Sequence, residues 1–247
     1  MKPFRKLVIL TGAGISAESG IPTFRDPGGL WERYNLEEVA TPEGFRQNPR
    51  LVHEFYNARR RDLLRVKPNP AHRALADLER RFPGEFLLVT QNVDDLHERA
   101  GSKKVLHLHG ELLKVRCEAC RGIFREEGEI FPETPCPSCG KKGTLRPHVV
   151  WFGEEPFHLL EIYEALLSCD LFVAIGTSGT VWPAAGFVEV ARQAGAHCVE
   201  INLEPAENAH FFHEHRYGPA SQEVPRWVKE ILSLRRGSPH FERSLGG

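Results

Sequence analysis

Leu7-Val8-Ile9-Leu10-Thr11-Gly12-Ala13-Gly14-Ile15-Ser16-Ala17 is the stretch whose reading decides the fold. Four apolar residues in unbroken succession are the pattern of a strand buried on both faces, as parallel strands in α/β sheets are. The Gly-x-Gly-x-x-Ala turn that follows lets the backbone approach a pyrophosphate at the entry to a helix. Alone, this turn does not decide between a dinucleotide site and an ordinary tight turn. The helix after it is cut short by Gly20-Ile21-Pro22, because proline breaks helix interiors and biases the preceding residue away from helix. No second apolar strand follows until Phe86, so an insertion is expected between the two.

The whole chain sets bounds on that reading. Its 247 residues suffice for one large domain with small insertions. Apolar content of 41% and charged content of 26% are those of an ordinary globular protein, and a formal net charge of -1 gives no general attraction to nucleic acid or anionic membrane. The N-terminus runs straight into Leu7, with no room for a cleavable signal and no run long enough to span a bilayer, so a cytoplasmic location is expected.

Beyond the first turn, Pro22 to Trp31 is rich in breakers and aromatic residues and reads as a loop over a ligand. Pro42 to Leu64 turns helical and strongly charged, which predicts a small helical module. Helix is expected over 71–81, 159–167, 184–194 and 225–234. Strands are expected at Phe86–Thr90, Val105–Leu108, Asp170–Ile175 and Cys198–Ile201. This alternation predicts an α/β doubly wound parallel sheet of Rossmann type with two insertions. Three of its strand ends run into Gln91-Asn92-Val93-Asp94, Gly176-Thr177-Ser178 and Asn202-Leu203-Glu204, and polar groups beyond strand ends are where such sheets bind ligands. Their convergence says far more than the glycine turn alone.

The second insertion carries Cys117-Glu118-Ala119-Cys120 and Cys136-Pro137-Ser138-Cys139, two Cys-x-x-Cys knuckles fifteen residues apart. That doubled spacing fits a four-thiolate zinc site, which would be closed to substrate and water and therefore structural. With four of six cysteines used there, and Cys169 and Cys198 in apolar surroundings, the pattern suits a reducing compartment better than a disulfide framework.

Taken together these stretches resemble the sirtuins, the NAD-dependent protein lysine deacylases, over roughly residues 7–232. The resemblance rests on Gly12-Ala13-Gly14-Ile15-Ser16, Pro22-Thr23-Phe24-Arg25-Asp26 and Thr90-Gln91-Asn92-Val93-Asp94. His109-Gly110, the four cysteines, Phe152-Gly153-Glu154, Gly176-Thr177-Ser178 and Asn202-Leu203-Glu204 follow in the family's order. It implies NAD bound between the Rossmann-like part and the inserted modules. Gly12, Ala13, Gly14, Ser16 and Arg25 would then lie at the pyrophosphate side, and Phe24 would shield the reacting ribose. Gln91, Asn92, Val93 and Asp94 would hold the nicotinamide ribose and carboxamide. Gly176, Thr177, Ser178, Asn202, Leu203, Glu204 and Ala220 would line the adenosine half. It further implies that the acyl-lysine carbonyl oxygen displaces nicotinamide and that a histidine activates a ribose hydroxyl to attack the resulting amidate. The products would be free lysine and O-acyl-ADP-ribose. His109 stands at the catalytic position, with Asn92 beside it; His72, His97 and His107 are read as structural. Phe152, Gly153, Glu154 and Val181 resemble the edges that grip a substrate backbone as an added strand. Gly179 stands where many members carry leucine, which leaves the substrate contact there open.

Tyr56 and Arg59 lie three residues apart, hence on one helix face. This pair resembles the subclass accepting succinyl- and malonyl-lysine, whose carboxylate a guanidinium can take bidentately. Read without the resemblance, Arg59-Arg60-Arg61 would be a solvated basic face. The Rossmann-like part is expected to be discontinuous over 1–26, 71–112 and 146–235. A cofactor loop and helical module would occupy 27–70, the zinc module 113–145 and a loose tail 236–247. The expected partners are acylated protein lysines and neither membrane nor nucleic acid, with the chain a monomer. Two rival classes stand beside this reading. One is an NAD-consuming ADP-ribosyltransferase or hydrolase. The other is a non-enzymatic zinc-ribbon nucleotide- or nucleic-acid-binding protein using Arg116, Arg121, Lys141 and Lys142, which Glu118, Glu126, Glu127 and Glu129 counter. A dehydrogenase would need a second strand and a ribose-binding acid that are not where that fold expects them.

Overall fold

The computed structural model describes residues 4–23 and 34–234. The readings of Phe24, Arg25 and Trp31 fall outside these residues. The apolar run at the chain's start forms β1 (Lys6–Thr11), which lies at the centre of a sheet. It pairs in parallel with β2 (Glu85–Thr90) on one side and with β7 (Leu171–Ile175) on the other. β3 (Val105–His107) extends the sheet beyond β2, while β8 (His197–Asn202) and β9 (Glu214–Tyr217) extend it beyond β7. The order β3-β2-β1-β7-β8-β9, all parallel, reverses between β1 and β7. That reversal is the switch point at which doubly wound sheets open a crevice beyond their carboxyl ends.

Successive residues of β1 serve opposite faces, so the continuous apolar run fills two cores. Leu7 and Ile9 pack with Leu75, Leu78 and Trp227 from α5 (Pro70–Arg81) and α9 (Ala220–Leu234). Val8 and Leu10 pack with Ile162 and Leu166 of α7 (Leu159–Leu166) and with Phe187, Val188 and Ala191 of α8 (Phe187–Gln193). α5 begins where expected, because Asn69 accepts the Ala71 N–H and Pro70 takes the first helical position.

Helix α1 (Ala13–Ala17) is a single short turn, ended by Gly20 at φ +96°. The first insertion contains α2 (Leu36–Val39), α3 (Pro42–Gln47) and α4 (Pro49–Arg65) among the described residues. The helical module expected over 42–64 thus comprises two helices, α3 and α4. Asn48 caps the second through its side chain, which accepts the Leu51 N–H, and Pro49 opens it. α6 (Leu96–Ala100) follows the β2 loop. The second insertion is an antiparallel three-stranded sheet of β5 (Ile123–Arg125), β4 (Gly110–Cys117) and β6 (Leu145–Val149). Among the described residues, no helix is long and apolar enough to cross a membrane.

Candidate active site and metal centre

At the switch point the β1 and β7 loops meet in contact. Gly12 N–H donates to the Ile175 carbonyl at 3.0 Å and Gly14 N–H to the Gly176 carbonyl at 2.9 Å. A Cβ at Gly12 would stand 2.6 Å from the Gly176 oxygen; one at Gly176, where φ is +63°, would stand 2.5 Å from the Ile15 nitrogen. These glycines thus let two loops close on each other, and the N–H groups of Gly12 and Gly14 serve that contact instead of a phosphate. Asn202 Nδ2 donates to the Thr177 carbonyl at 2.8 Å and ties the β8 loop to the same place. Thr177 is buried, Ser178 and Ala220 half-buried, and Leu203 and Glu204 exposed.

The β2 loop supplies a second polar cluster. Asn92, 7% exposed, donates through Nδ2 to the Gly12 carbonyl at 3.0 Å and to Ser16 Oγ at 3.2 Å. Ser16 Oγ in turn donates to Asp94 Oδ2 at 2.9 Å, and Asp94 Oδ1 accepts the Leu96 N–H at 3.1 Å. Burial pushes the Asp94 carboxyl above its ordinary value against the pull of these two donors. Val93 accepts the Leu112 N–H at 2.8 Å, joining this loop to the start of β4. The Asn92 amide and Ser16 hydroxyl, fixed in this way beside the Asp94 carboxyl, form a set able to hydrogen-bond a neutral polar ligand.

His109 lies between β3 and β4. Its Nδ1 faces the Gln91 carbonyl at 3.1 Å, which fixes the proton on Nδ1 and leaves Nε2 as the basic atom. Burial pushes its pKa below the ordinary imidazole value, and the hydrogen bond to Gln91 opposes this only in part. The ring is thus neutral at physiological pH, the form a general base needs.

Helix α4 presents Tyr56 and Arg59 together. Tyr56 is 2% exposed, and the Arg59 guanidinium carbon lies 5.6 Å from the centroids of both the Phe55 and Tyr56 rings. Burial lowers the Arg59 pKa, while the charges of Tyr56 and Asp94 raise it. The Tyr56 hydroxyl accepts the Trp151 indole N–H at 2.9 Å. Trp151 carries the Arg146 guanidinium 3.4 Å above its ring, and Arg146 binds Glu154 through both carboxylate oxygens at 2.7 and 2.9 Å. Glu154 is therefore an anchor of the Phe152–Glu154 turn, with its pKa lowered by that pairing despite burial. It leaves Phe152 57% exposed on the rim, and Val181 is 42% exposed. Arg116, read above as a possible phosphate contact, also reaches Glu154 at 3.2 Å.

The four knuckle cysteines converge, with all sulfur atoms within 4.8 Å of one another. Cys117 and Cys139 stand 3.8 Å apart, Cys120 and Cys136 3.7 Å. A zinc–sulfur tetrahedron of radius about 2.3 Å has edges of roughly 3.8 Å, so the donor set fits the ion in kind and size. The two knuckles match: Arg121 N–H returns to the Cys117 carbonyl and Gly140 N–H to the Cys136 carbonyl, each at 2.9 Å. Both closing residues are left-handed, with φ of 61° and 70°. Val115, Ile130 and Leu145 make the small core beside them.

A profile of the Sir2 family matches residues 12–183. The chain belongs to the Sir2 family. This Sir2 protein is 54% identical over 236 residues to an NAD-dependent protein deacylase of Caulobacter vibrioides, covering 94% of this chain and 99% of that one. It is 56% identical over 236 residues to the protein of the same name from Escherichia coli, covering 94% and 85%. Among solved structures, a Sir2 homologue in complex with NAD superposes with a TM-score of 0.86 at 41% identity, over 94% of this chain and 91% of that one. A Sir2 protein bound to acetylated peptide superposes at 0.77 and 31% identity, over 92% and 93%.

Sequence reasoning missed four contributors to this Sir2 site. Trp151 and Arg146 gave no signal beyond a tryptophan inside an apolar run and an arginine beside the knuckles. Asn57 and Arg60 were hidden in a basic stretch. Arg60, 1% exposed, donates from Nε to the Gly128 carbonyl at 3.1 Å, and Asn57 bonds both the N–H and the carbonyl of Ile130. They tie α4 to the zinc module. Burial lowers the Arg60 pKa to about 10.

Proposed function

We propose that this NAD-dependent protein deacylase removes acidic acyl groups, succinyl and malonyl, from lysine side chains as well as acetyl, with His109 as general base. The observation that carries the acyl preference is the pairing of buried Tyr56 with half-buried Arg59 on α4, within the electrostatic reach of Asp94. The Tyr56 hydroxyl already accepts from Trp151, so its own proton remains to be donated to a carboxylate. A guanidinium beside it supplies the opposite charge in surroundings of low dielectric, where such a pair is strong.

NAD supplies the ribose to which the acyl group is passed and the nicotinamide that leaves. In this reading Gln91, Asn92, Val93 and Asp94 bind the nicotinamide ribose and carboxamide, and Gly12, Ala13, Gly14 and Ser16 with Arg25 and Phe24 flank the pyrophosphate and reacting ribose. Gly176, Thr177, Ser178, Asn202, Leu203, Glu204 and Ala220 receive the adenosine half. His109 takes a ribose hydroxyl proton at Nε2, and its Nδ1–H stays on Gln91. Phe152, Gly153 and Val181 border the peptide, with Glu154 anchoring the turn from behind. The zinc held by Cys117, Cys120, Cys136 and Cys139 fixes the module without entering the reaction. The boundaries given above for the Rossmann-like part, helical module, zinc module and tail belong to the same proposal, as does a monomeric state.

Steady-state rates on one peptide carrying either acetyl- or succinyl-lysine test the reading. Tyr56→Phe should raise KM for the succinyl peptide several-fold and leave the acetyl KM in place; an equal change in both would remove Tyr56 from the acyl pocket.

A further inference from the structure

His107 ends β3, two residues before His109, and is 6% exposed. Both of its ring nitrogens face acceptors. Nε2 meets Glu98 Oε1 of α6 at 2.7 Å, and Nδ1 meets the Asn92 carbonyl at 3.2 Å. A neutral imidazole carries one proton and would keep it on the side of the carboxylate, the stronger acceptor. Its Nδ1 lone pair would then point at the lone pairs of the Asn92 carbonyl. Only the imidazolium satisfies both contacts.

From the opposite side, the Asn92 N–H is held by Thr90 Oγ1 at 3.1 Å, and its side-chain amide is committed to Gly12 and Ser16. Among the described residues, the donor to its carbonyl is His107. We infer that His107, kept doubly protonated by Glu98, is a positioning residue that sets the peptide plane of Asn92 and so the binding of NAD. This rests on the reading of Asn92 as an NAD-holding residue.

The charges around the ring agree. Burial pulls its pKa down, but the Glu98 hydrogen bond, with the charges of Glu98 and of Glu111 on β4, outweighs it and holds the ring above the ordinary imidazole value. Asp94 in the β2 loop faces the same ring and is stabilised as a carboxylate by it, whereas His97 on α6 is pushed further toward neutrality. As pH rises through the raised His107 pKa the ring loses a proton, the Asn92 contact turns repulsive and NAD affinity falls.

The test is the KM for NAD against pH, with the KM for acyl peptide measured alongside. In the unmodified protein the KM for NAD should rise on the alkaline side while the peptide KM stays level. His107→Met removes both donors and should raise the KM for NAD roughly tenfold or more, as expected for losing a charge-assisted bond. His107→Gln retains an amide N–H toward Asn92; it should recover part of that loss and lack the alkaline rise. Zinc content and melting temperature establish that each variant is folded, and His107→Gln decides alone if His107→Met is not. An alkaline rise that persists in His107→Gln, or an unchanged KM for NAD in folded His107→Met, would overturn the inference. Asn92→Ala separates the two layers: if it leaves the KM for NAD unchanged, the reading of the NAD site fails and this inference with it. If Asn92→Ala raises it and the His107 variants do not, only the inference fails.

Discussion

The Trp151 indole N–H donates to the Tyr56 hydroxyl at 2.9 Å, and so links the segment leading into the Phe152–Glu154 turn to the helix that carries Arg59. The bond leaves the tyrosine proton available to a carboxylate and fixes the ring against which Arg59 lies. Arg59→Met keeps an unbranched side chain close to the length of the arginine stem and removes the charge. Loss of a charge-assisted pair costs about 1.5–3 kcal/mol, or roughly ten- to a hundredfold. The kcat/KM for succinyl-peptide should fall by that factor and that for acetyl-peptide by less than threefold. Equal loss of both would place Arg59 outside the acyl pocket.

With His109 as the proposed general base, the pH dependence of kcat/KM follows from its ring. A base must be neutral to work, and burial moves its pKa below the ordinary imidazole value. The acid limb of kcat/KM should therefore lie below pH 6.5 and activity should be retained at pH 6.5. An acid limb centred above 6.5 would contradict the assignment. His109→Ala should abolish the limb together with nearly all turnover.

Gly176 is held at φ +63°, and a Cβ there would come within 2.5 Å of the Ile15 nitrogen. Neither backbone can yield without separating the β1 and β7 loops. Gly176→Ala should cost about 2 kcal/mol or more, which for a chain of this size is a fall in melting temperature of roughly 4–8 °C. It should also weaken NAD binding, measured by calorimetry, because both loops border the switch point. Unchanged stability and affinity would show that the contact is dispensable.

How much could be read in advance follows from how each element is built. β1, β2, β7 and β8 are buried runs, and continuous apolar sequence announces them. β9 escaped because Glu214-His215-Arg216-Tyr217 is an edge strand of alternating half-buried and exposed residues with no apolar run. The break at Asn48-Pro49 was legible as a cap followed by proline but was absorbed into a charged helical stretch. The cysteine spacing announced the metal centre, since ligand geometry constrains sequence directly. The ties that orient the site, Trp151 to Tyr56, Arg146 to Glu154 and His107 to Asn92, join residues 95, 8 and 15 positions apart by one or two polar contacts each. Such contacts leave no periodicity, and only folding brings their partners together.

The zinc module is bolted to α4 through Asn57 and Arg60 and to the core through β4 and β6. Cys136→Ala should lose the metal and lower the melting temperature by well over 10 °C, because structural zinc binding is itself folding free energy. Zinc content by elemental analysis and a thermal melt check this. A folded, active, zinc-free variant would contradict the scaffold role.

The most direct measurement is mass spectrometry of one peptide, acetylated or succinylated at lysine, incubated with the protein in the presence and absence of NAD, beside His109→Ala. The expected result is loss of either acyl group only with NAD, one nicotinamide released and the acyl group recovered on ADP-ribose for each lysine freed, and neither product with His109→Ala. Removal of the acyl group without NAD, or undiminished removal by His109→Ala, would contradict the account.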